Sequence, residues 1–223
     1  YKAVKNIKNS LPEEIPLIGF CGSPWTLAAY SIEGRSSKDF KKTLNFLLSN
    51  QEDVHNLLTK YTDACFLYLR RQVQSGADVI QIFDSWANLL TKEGLIEYSF
   101  NYINALISAL KFDPVTKNIP VIVFARNPKC NIKELINTSA DCISLFWSMN
   151  DLNFELAKNK VAIQGNLDPK ILLESDEIIK RETYKILEKF EKYPGYIFNL
   201  GHGITPDINP DKIKYLTNIV REY

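Results

Sequence analysis

Polar, aromatic and glycine residues cluster at short turns of the sequence, each directly after an apolar run. Phe83, Asp84 and Ser85 end one such run, and His202 stands between two glycines after another. A buried serine or carboxylate needs a hydrogen-bond partner, and a substrate can be that partner. Small neighbours let the His202 backbone and ring approach a ligand closely. These turns therefore predict a ligand site in which His202 is the most informative residue.

Other polar candidates have competing structural explanations. Tyr30 follows the segment 26–29 on a helical turn, where a tyrosine more often packs than reacts. His55 lies on the polar face of a long helical stretch, which is typical of a solvated histidine. Four basic residues near the predicted turns could attract an anion or could equally be solvated surface charges. These four are Arg35, Lys92, Arg126 and Lys129.

Several chemistries lack the motif that they require. The nucleophile elbow G-x-S-x-G is absent, which argues against Ser85 as a nucleophile. Neither G-x-G-x-x-G nor the P-loop pattern occurs, so no nucleotide fingerprint is present. A catalytic zinc site needs three ligands, and one useful histidine with dispersed cysteines offers no obvious set. We therefore expect no metal.

Composition narrows the function further. The 223 residues are 45% hydrophobic and 24% charged, with a formal net charge of +1, so the strong basic excess of a nucleic-acid-binding protein is missing. No apolar run approaches the ~18–20 residues that cross a bilayer. The four cysteines form no CxxC pair, which is typical of thiols in a reducing compartment. We expect one cytoplasmic domain over 1–223, with no nucleic-acid or membrane partner.

Six short, nearly continuous apolar runs alternate with longer helical patterns. Such runs are typical of strands buried on both faces of a parallel sheet with helical cover. The carboxyl ends of these strands are where ligands bind in α/β proteins. Two architectures remain open: an open doubly wound sheet, or a (β/α) barrel that lacks two of its eight units. The predicted strands are 15–20, 78–83, 120–124, 142–146, 160–164 and 196–200.

Seven helical stretches are predicted between and after these strands. The long second stretch stops at Gly76, a good carboxyl-terminal cap, and Asn209 or Asp211 can cap the last one with Pro210 at its first position. The stretches are 36–50, 51–75, 95–110, 131–139, 150–158, 168–193 and 209–222.

Four segments together closely resemble the uroporphyrinogen decarboxylase family. Each lies at a predicted strand end, and their order and spacing agree along all 223 residues. The segments are 16–34, which includes Tyr30, then 81–87, 164–169 and 198–203. The resemblance implies a (β/α)8 TIM barrel, with about six β/α units in this chain.

The resemblance also implies an activity and a set of site residues. The family removes the carboxyl groups of the four acetate side chains of uroporphyrinogen III, giving coproporphyrinogen III in haem synthesis. It uses no metal and no organic cofactor, and it typically works as a cytosolic homodimer. The family's substrate contacts carry over onto Tyr30, Ser85 and His202, and Phe83 would line the pocket beside them.

The sequence departs from the family in three places. An amino-terminal arginine-rich motif and an aspartate have no match, so we expect the chain to be the last two-thirds of the barrel and to show little activity alone. The segment 126–129 stands where the family shows a glycine-richer turn. Phe146 stands at a place that is often acidic.

Two alternatives to the decarboxylase stay open. A related zinc-dependent corrinoid or thiol methyltransferase would need His-x-Cys at the third strand end, where this chain has Val123, Phe124 and Ala125. The chain could also be a non-catalytic, incomplete barrel, because missing units expose strand edges and apolar surface.

Overall fold

The computed structural model describes residues 1–149 and 153–223, and its centre is a sheet of six parallel strands. Each strand lies beside its neighbour in the sequence, in the order β1 to β6. A doubly wound sheet reverses its strand order at a switch point, whereas a barrel does not. The alternating α/β prediction is therefore confirmed, and the sheet is part of a barrel that is not closed. The strands are β1 Ile18–Gly22, β2 Val79–Asp84, β3 Val121–Ala125, β4 Cys142–Ser144, β5 Ala162–Gln164 and β6 Tyr196–Ile197.

Helices follow the strands and cover the outer face of the sheet. A segment of wider turns, Ile96–Phe100, joins α5 to α6 without a break, and three short 3₁₀ turns lie at Ala87–Leu89, Phe154–Leu156 and Pro169–Leu173. The helices are α1 Lys2–Ser10, α2 Pro24–Glu33, α3 Lys41–Ser49, α4 Gln51–Gln74, α5 Lys92–Leu95, α6 Asn101–Phe112, α7 Ile132–Ile136, α8 Asp176–Phe190 and α9 Pro210–Glu222.

Several of the predicted helical stretches are wrong in extent, and two of them differ most clearly. The stretch 168–193 begins as the 3₁₀ turn Pro169–Leu173 and becomes helical at Asp176. Of the stretch 150–158, residues 150–152 lie outside the described residues, and the remainder contains only the turn Phe154–Leu156. Short polar breaks therefore divide stretches that periodicity alone reads as continuous.

Local capping explains where the key helices begin and end. The Ser23 side chain accepts a hydrogen bond from the Thr26 N–H at 3.0 Å, with Pro24 at the first position of α2. Gly76, at φ 107°, follows α4 in a conformation that favours glycine. Asn209 caps α9 through the Asp211 N–H at 2.9 Å, as the sequence predicts.

The first strand is not buried on both faces, contrary to the sequence-based expectation. Ile18 and Phe20 are 44% and 60% exposed, whereas every residue of β3 is buried. The cause is position, because β1 is an edge of the sheet and Ile18 and Phe20 have a neighbouring strand on one side only.

A glutamine from α4 occupies the open edge of β1. The Phe20 N–H donates to the Gln72 Oε1 at 3.1 Å, and the Gln72 Nε2 donates to the Phe20 carbonyl at 2.9 Å. Gly19 makes the approach possible, since a Cβ there would lie 2.8 Å from the Gln72 Oε1. A buried side-chain amide thus takes the place of a neighbouring strand at this residue.

Candidate functional site

Side chains at the end of β2 alternate between two faces of the sheet. Gln81, Phe83 and Ser85 line one pocket, whereas Ile82 and Asp84 are fully buried in the other direction. Successive side chains of a strand point to opposite faces, so this division follows directly from the backbone. Ser85 therefore lines the pocket, whereas its neighbour Asp84 is buried on the other face.

An open pocket of about 400 Å³ lies at the carboxyl-terminal edge of the sheet. It brings together Phe83, Ser85 and His202, three of the four site residues predicted from the sequence. Among the described residues, none of those lining it carries a carboxylate, so an anionic ligand would meet no like charge there. The lining is completed by Gln81, Phe124, Ser144, Asn199, Leu200, Gly203 and Ile204.

Two phenylalanines orient the His202 ring at the pocket mouth. The ring centroid lies 5.9 Å from that of Phe146, nearly perpendicular to it, and 6.3 Å from that of Phe124. The side chain is exposed, and its Nδ1 lies 3.4 Å from the Gly203 carbonyl. Phe146, the residue that departs from the family pattern, therefore supports the histidine by ring contact.

The two glycines beside His202 have different roles. A Cβ at Gly201 would lie 2.3 Å from the backbone nitrogen of Trp147, whereas a Cβ at Gly203 would meet open space. The interpretation that both glycines clear space for a ligand is therefore wrong for Gly201. Its small size instead lets the turn pack directly against the main chain that follows β4.

Asp84 is the centre of a buried hydrogen-bond cluster. Its Oδ1 accepts from the Ser23 and Thr26 hydroxyls, each at 3.1 Å, and its Oδ2 accepts from the Ser99 hydroxyl. The Thr26 hydroxyl in turn accepts from the Ser85 N–H at 2.9 Å. The partner of the Asp84 carboxylate is therefore the protein and not a substrate, which corrects the sequence-based interpretation.

Burial dominates the electrostatics of this carboxyl group. Loss of solvent raises the pKa of Asp84 from 3.8 to about 6, although the bonds from Ser99, Ser23 and Thr26 oppose the shift. The cluster joins α2, β2 and the Ser85 backbone. It therefore holds the Ser85 main chain in a fixed position at the edge of the pocket. Asp84 is thus a positioning residue for the site.

Tyr30 lies outside the pocket that holds the other three predicted residues. It is in α2, 39% exposed, and its ring centroid is 5.8 Å from that of Trp86 and 5.9 Å from that of Phe40. Trp86 directly follows Ser85 in the chain. The structure therefore places Tyr30 next to the pocket, on the far side of an aromatic ring.

Sequence reasoning missed the polar side chains on the pocket floor. Gln81 and Ser144 line the pocket, and Gln164 donates from its Nε2 to the Ser144 hydroxyl at 3.1 Å in a buried contact. A signal was available, because Gln81 and Ser144 each interrupt a run that is otherwise apolar. A polar residue inside a buried strand needs a partner, so it marks a cavity or a network.

The motif 164–169 supports neighbouring loops and does not line the pocket. The Asn166 Nδ2 lies 3.3 Å from each of the carbonyls of Phe146 and Trp147, and Asp168 caps the following turn through the Lys170 N–H. The segment therefore holds the loop that carries Phe146 against His202.

Two further features concern residues 1–149 and 153–223: the possible metal ligands and the possible membrane spans. Within these ranges, no three His, Cys, Asp or Glu side chains converge as a metal ion requires. The described residues thus contain no set of zinc ligands of the kind that the methyltransferase alternative requires. No helix within the same ranges has the length and apolarity needed to span a bilayer.

Comparison with solved structures agrees with the partial barrel. A methyltransferase from Methanosarcina mazei aligns with a TM-score of 0.78 at 20% identity, covering 99% of this chain and 63% of that protein. A B12-independent methionine synthase from Shewanella aligns with a TM-score of 0.66 at 16% identity, covering 99% of this chain and 66% of that protein. At these identities the likeness shows the fold alone.

Sequence comparison is more specific. The family profile described as uroporphyrinogen decarboxylase (URO-D) matches residues 1–223. Relatives named uroporphyrinogen decarboxylase are 41% identical in Ruthia magnifica, over 99% of this chain, and 40% identical in Aquifex aeolicus, over all of it. The chain spans 64% of the length of each of these two relatives. With the profile matched from the first residue to the last, the chain belongs to the uroporphyrinogen decarboxylase family.

Proposed function

We propose that the protein converts uroporphyrinogen III to coproporphyrinogen III by removing four acetate carboxyl groups. The observation that carries the proposal is the pocket at the carboxyl-terminal sheet edge, which gathers Phe83, Ser85 and His202 in a member of this family. A site lined by aromatic rings, hydroxyls and an imidazole suits a ligand whose apolar pyrrole rings carry carboxylates.

The chemistry requires an electron acceptor for each step. When the bond between the acetate methylene and its carboxyl group breaks, CO2 leaves and the electron pair stays behind. A protonated pyrrole ring takes up that pair, so the substrate serves as its own acceptor. A proton then adds to the methylene carbon to give the methyl group, and the ring proton is returned. The net change for each group is the loss of CO2 and the uptake of one proton.

The chain's residues have distinct roles in this proposal. His202, exposed at the mouth, hydrogen-bonds a substrate carboxylate or passes the proton to the methylene carbon. Ser85, held through Thr26 and Asp84, anchors a second carboxylate with its hydroxyl. Phe83 and Phe124, whose ring centroids are 5.9 Å apart, supply the apolar wall for the ring. Groups held in place before the reaction stabilise the developing charge without reorganising.

An anaerobic assay with uroporphyrinogen III tests the proposal. The 223 residues are assayed alone and within the complete gene product, and products are separated by their number of carboxyl groups. We expect coproporphyrinogen from the complete protein and little or none from the 223 residues, because no match exists here for the family's arginine motif and aspartate. Failure of the complete protein to release CO2 would contradict the proposed activity.

Assembly and location form part of the same proposal. We propose a homodimer in the cytoplasm, with no nucleic acid or membrane partner, in keeping with the family resemblance and the near-neutral charge of +1. Light scattering coupled to size-exclusion chromatography of the complete protein would give twice the mass of one chain. A monomer at micromolar concentration would contradict the dimer.

A further inference from the structure

Arg126 presents a stacked cation at the carboxyl end of β3. Its guanidinium carbon lies 5.4 Å from the centroid of the Trp86 ring. In the ranges that the structure describes, Arg126 forms no ion pair, whereas Lys92 pairs with Glu134 at 2.9 Å. A guanidinium stacked on an aromatic face keeps its in-plane N–H donors available for a carboxylate.

The platform beneath Arg126 is held from several sides. The Trp86 ring lies 4.3 Å, centroid to centroid, from the fully buried ring of Phe40, and its carbonyl accepts from the Trp25 Nε1 at 3.1 Å. The Arg126 N–H donates to the Asp84 carbonyl at 2.9 Å. Hydrogen bonds therefore hold the main chains of both Trp86 and Arg126 close to the end of β2.

Tyr30 contacts the same indole ring. The centroid of the Tyr30 ring lies 5.8 Å from that of Trp86, in an edge-on arrangement, and Tyr30 is 39% exposed. Trp86 therefore joins a guanidinium and a phenol, both able to donate hydrogen bonds, one residue beyond Ser85. This cluster of Tyr30, Trp86 and Arg126 accounts for the separation of Tyr30 from the other predicted site residues.

We propose that Arg126, held over Trp86, forms a second carboxylate subsite next to Tyr30, whose substrate contact the family resemblance already implies. The inference rests on the proposed function and extends it to a residue in the segment that departs from the family pattern. A substrate with carboxylates all around its ring projects some of them beyond a pocket that holds its apolar centre. Arg126 binds one of these carboxylates with two parallel N–H bonds.

Binding of the octacarboxylate uroporphyrin III by the complete gene product tests the subsite. Porphyrin fluorescence gives the Kd for the parent protein and for R126Q, R126K, K129Q and S85A. We expect R126Q to weaken binding about tenfold, the lower end for loss of a charge-assisted bond. R126K should fall between, because lysine keeps the charge without the bidentate geometry. The exposed Lys129, three residues away, is the matched control and should change the Kd less than about twofold.

The possible outcomes separate the subsite from the proposed function. If S85A weakens binding and R126Q does not, the second subsite is wrong while the pocket stands. If K129Q weakens binding as much as R126Q, the effect is general charge attraction, and the subsite is again contradicted. If the complete parent protein neither binds uroporphyrin III nor decarboxylates uroporphyrinogen III, the proposed function fails together with the inference. Thermal unfolding of each variant verifies that the fold is intact.

Discussion

At the scale of single residues, His202 and Tyr30 differ in what their removal should cost. His202 lines the pocket, where it can move a proton, whereas Tyr30 lies on Trp86, where it can only add a hydrogen bond. In the complete protein, H202N should lower kcat/KM for uroporphyrinogen about a hundredfold, as for loss of a general acid–base. Y30F should lower it about tenfold, the lower end for loss of one hydrogen bond to a charged group.

Steady-state decarboxylation rates measured anaerobically check both values. H55N is the control, since His55 lies away from the pocket and bonds to the Tyr102 hydroxyl at 2.7 Å. Unchanged turnover in H202N and Y30F together would remove both residues from the site. An equal loss in H55N would mean that the assay reports folding.

Asp84 gives a prediction about pH and stability. Its pKa is about 6 in the folded protein against 3.8 for the free group, so the folded state holds the proton more tightly. The stability that this group contributes is therefore present below about pH 4 and is lost as the pH rises through 6. The free energy of unfolding of the parent minus that of D84N should fall between these values by at most about 3 kcal/mol.

Urea unfolding of the two chains at pH 4, 5, 6 and 8 measures this difference. The exposed Asp207 is the control, because a hydrogen bond from Thr205 lowers its pKa. Its contribution to the free energy of unfolding therefore changes with pH in the opposite direction. The difference between the parent and D207N should not fall as the pH rises. A parent–D84N difference that stays constant or increases with pH would show that burial does not control this carboxyl group.

At the scale of elements, the turn after β6 depends on close packing against the chain after β4. G201A places a Cβ 2.3 Å from the Trp147 nitrogen, so we expect a loss of about 3 kcal/mol of unfolding free energy, at the upper end for overpacking. G203A adds the same methyl group to open space and should change stability by less than about 0.5 kcal/mol. Equal Tm values for the two variants would refute this packing.

The sequence predicts the six strands and their order well because each strand is a separate apolar run. The predicted strand 78–83 is Val79–Asp84 in the structure, and 120–124 is Val121–Ala125. The exposure of β1 could not be read in this way, since an edge strand and a central strand share the same apolar composition. Only the pairing order shows which strand lacks a neighbour.

The same limit applies to the candidate site. Strand ends indicate Phe83, Ser85 and His202, because parallel strands carry their carboxyl ends to one edge. The partners of Asp84 were not predictable, since Ser99 approaches from the wider turns before α6 and not from a strand end. The separation of Tyr30 depends on the direction in which α2 leaves the sheet, and no periodicity encodes that direction.

At the scale of the whole molecule, the open sheet exposes apolar side chains at its first edge. Phe20 is 60% exposed and contacts Phe83 edge-on at 5.9 Å, on the face that a closed barrel would cover. We expect the 223-residue chain to associate through this face at rising concentration. F20S should reduce the association, as measured by static light scattering.

F112S is the matched control for this prediction. Phe112 ends α6 and is 93% exposed, so its replacement removes more exposed apolar surface from a place outside the open edge. If F112S reduces light scattering as much as F20S does, association follows from general surface apolarity. If neither variant has an effect, the sheet edge is not the contact.

The Gln72 amide determines which kind of contact that edge can make. It already satisfies the Phe20 N–H and carbonyl, and the Cys65 thiol lies 3.5 Å from the Gly22 carbonyl. An added strand must first remove the glutamine from a buried position and supply matching backbone groups in its place. Contact through side chains carries no such requirement. The β1 edge therefore disfavours the addition of strands that builds a fibril, while it can still contact an apolar surface. We expect aggregates that form through this edge to be amorphous.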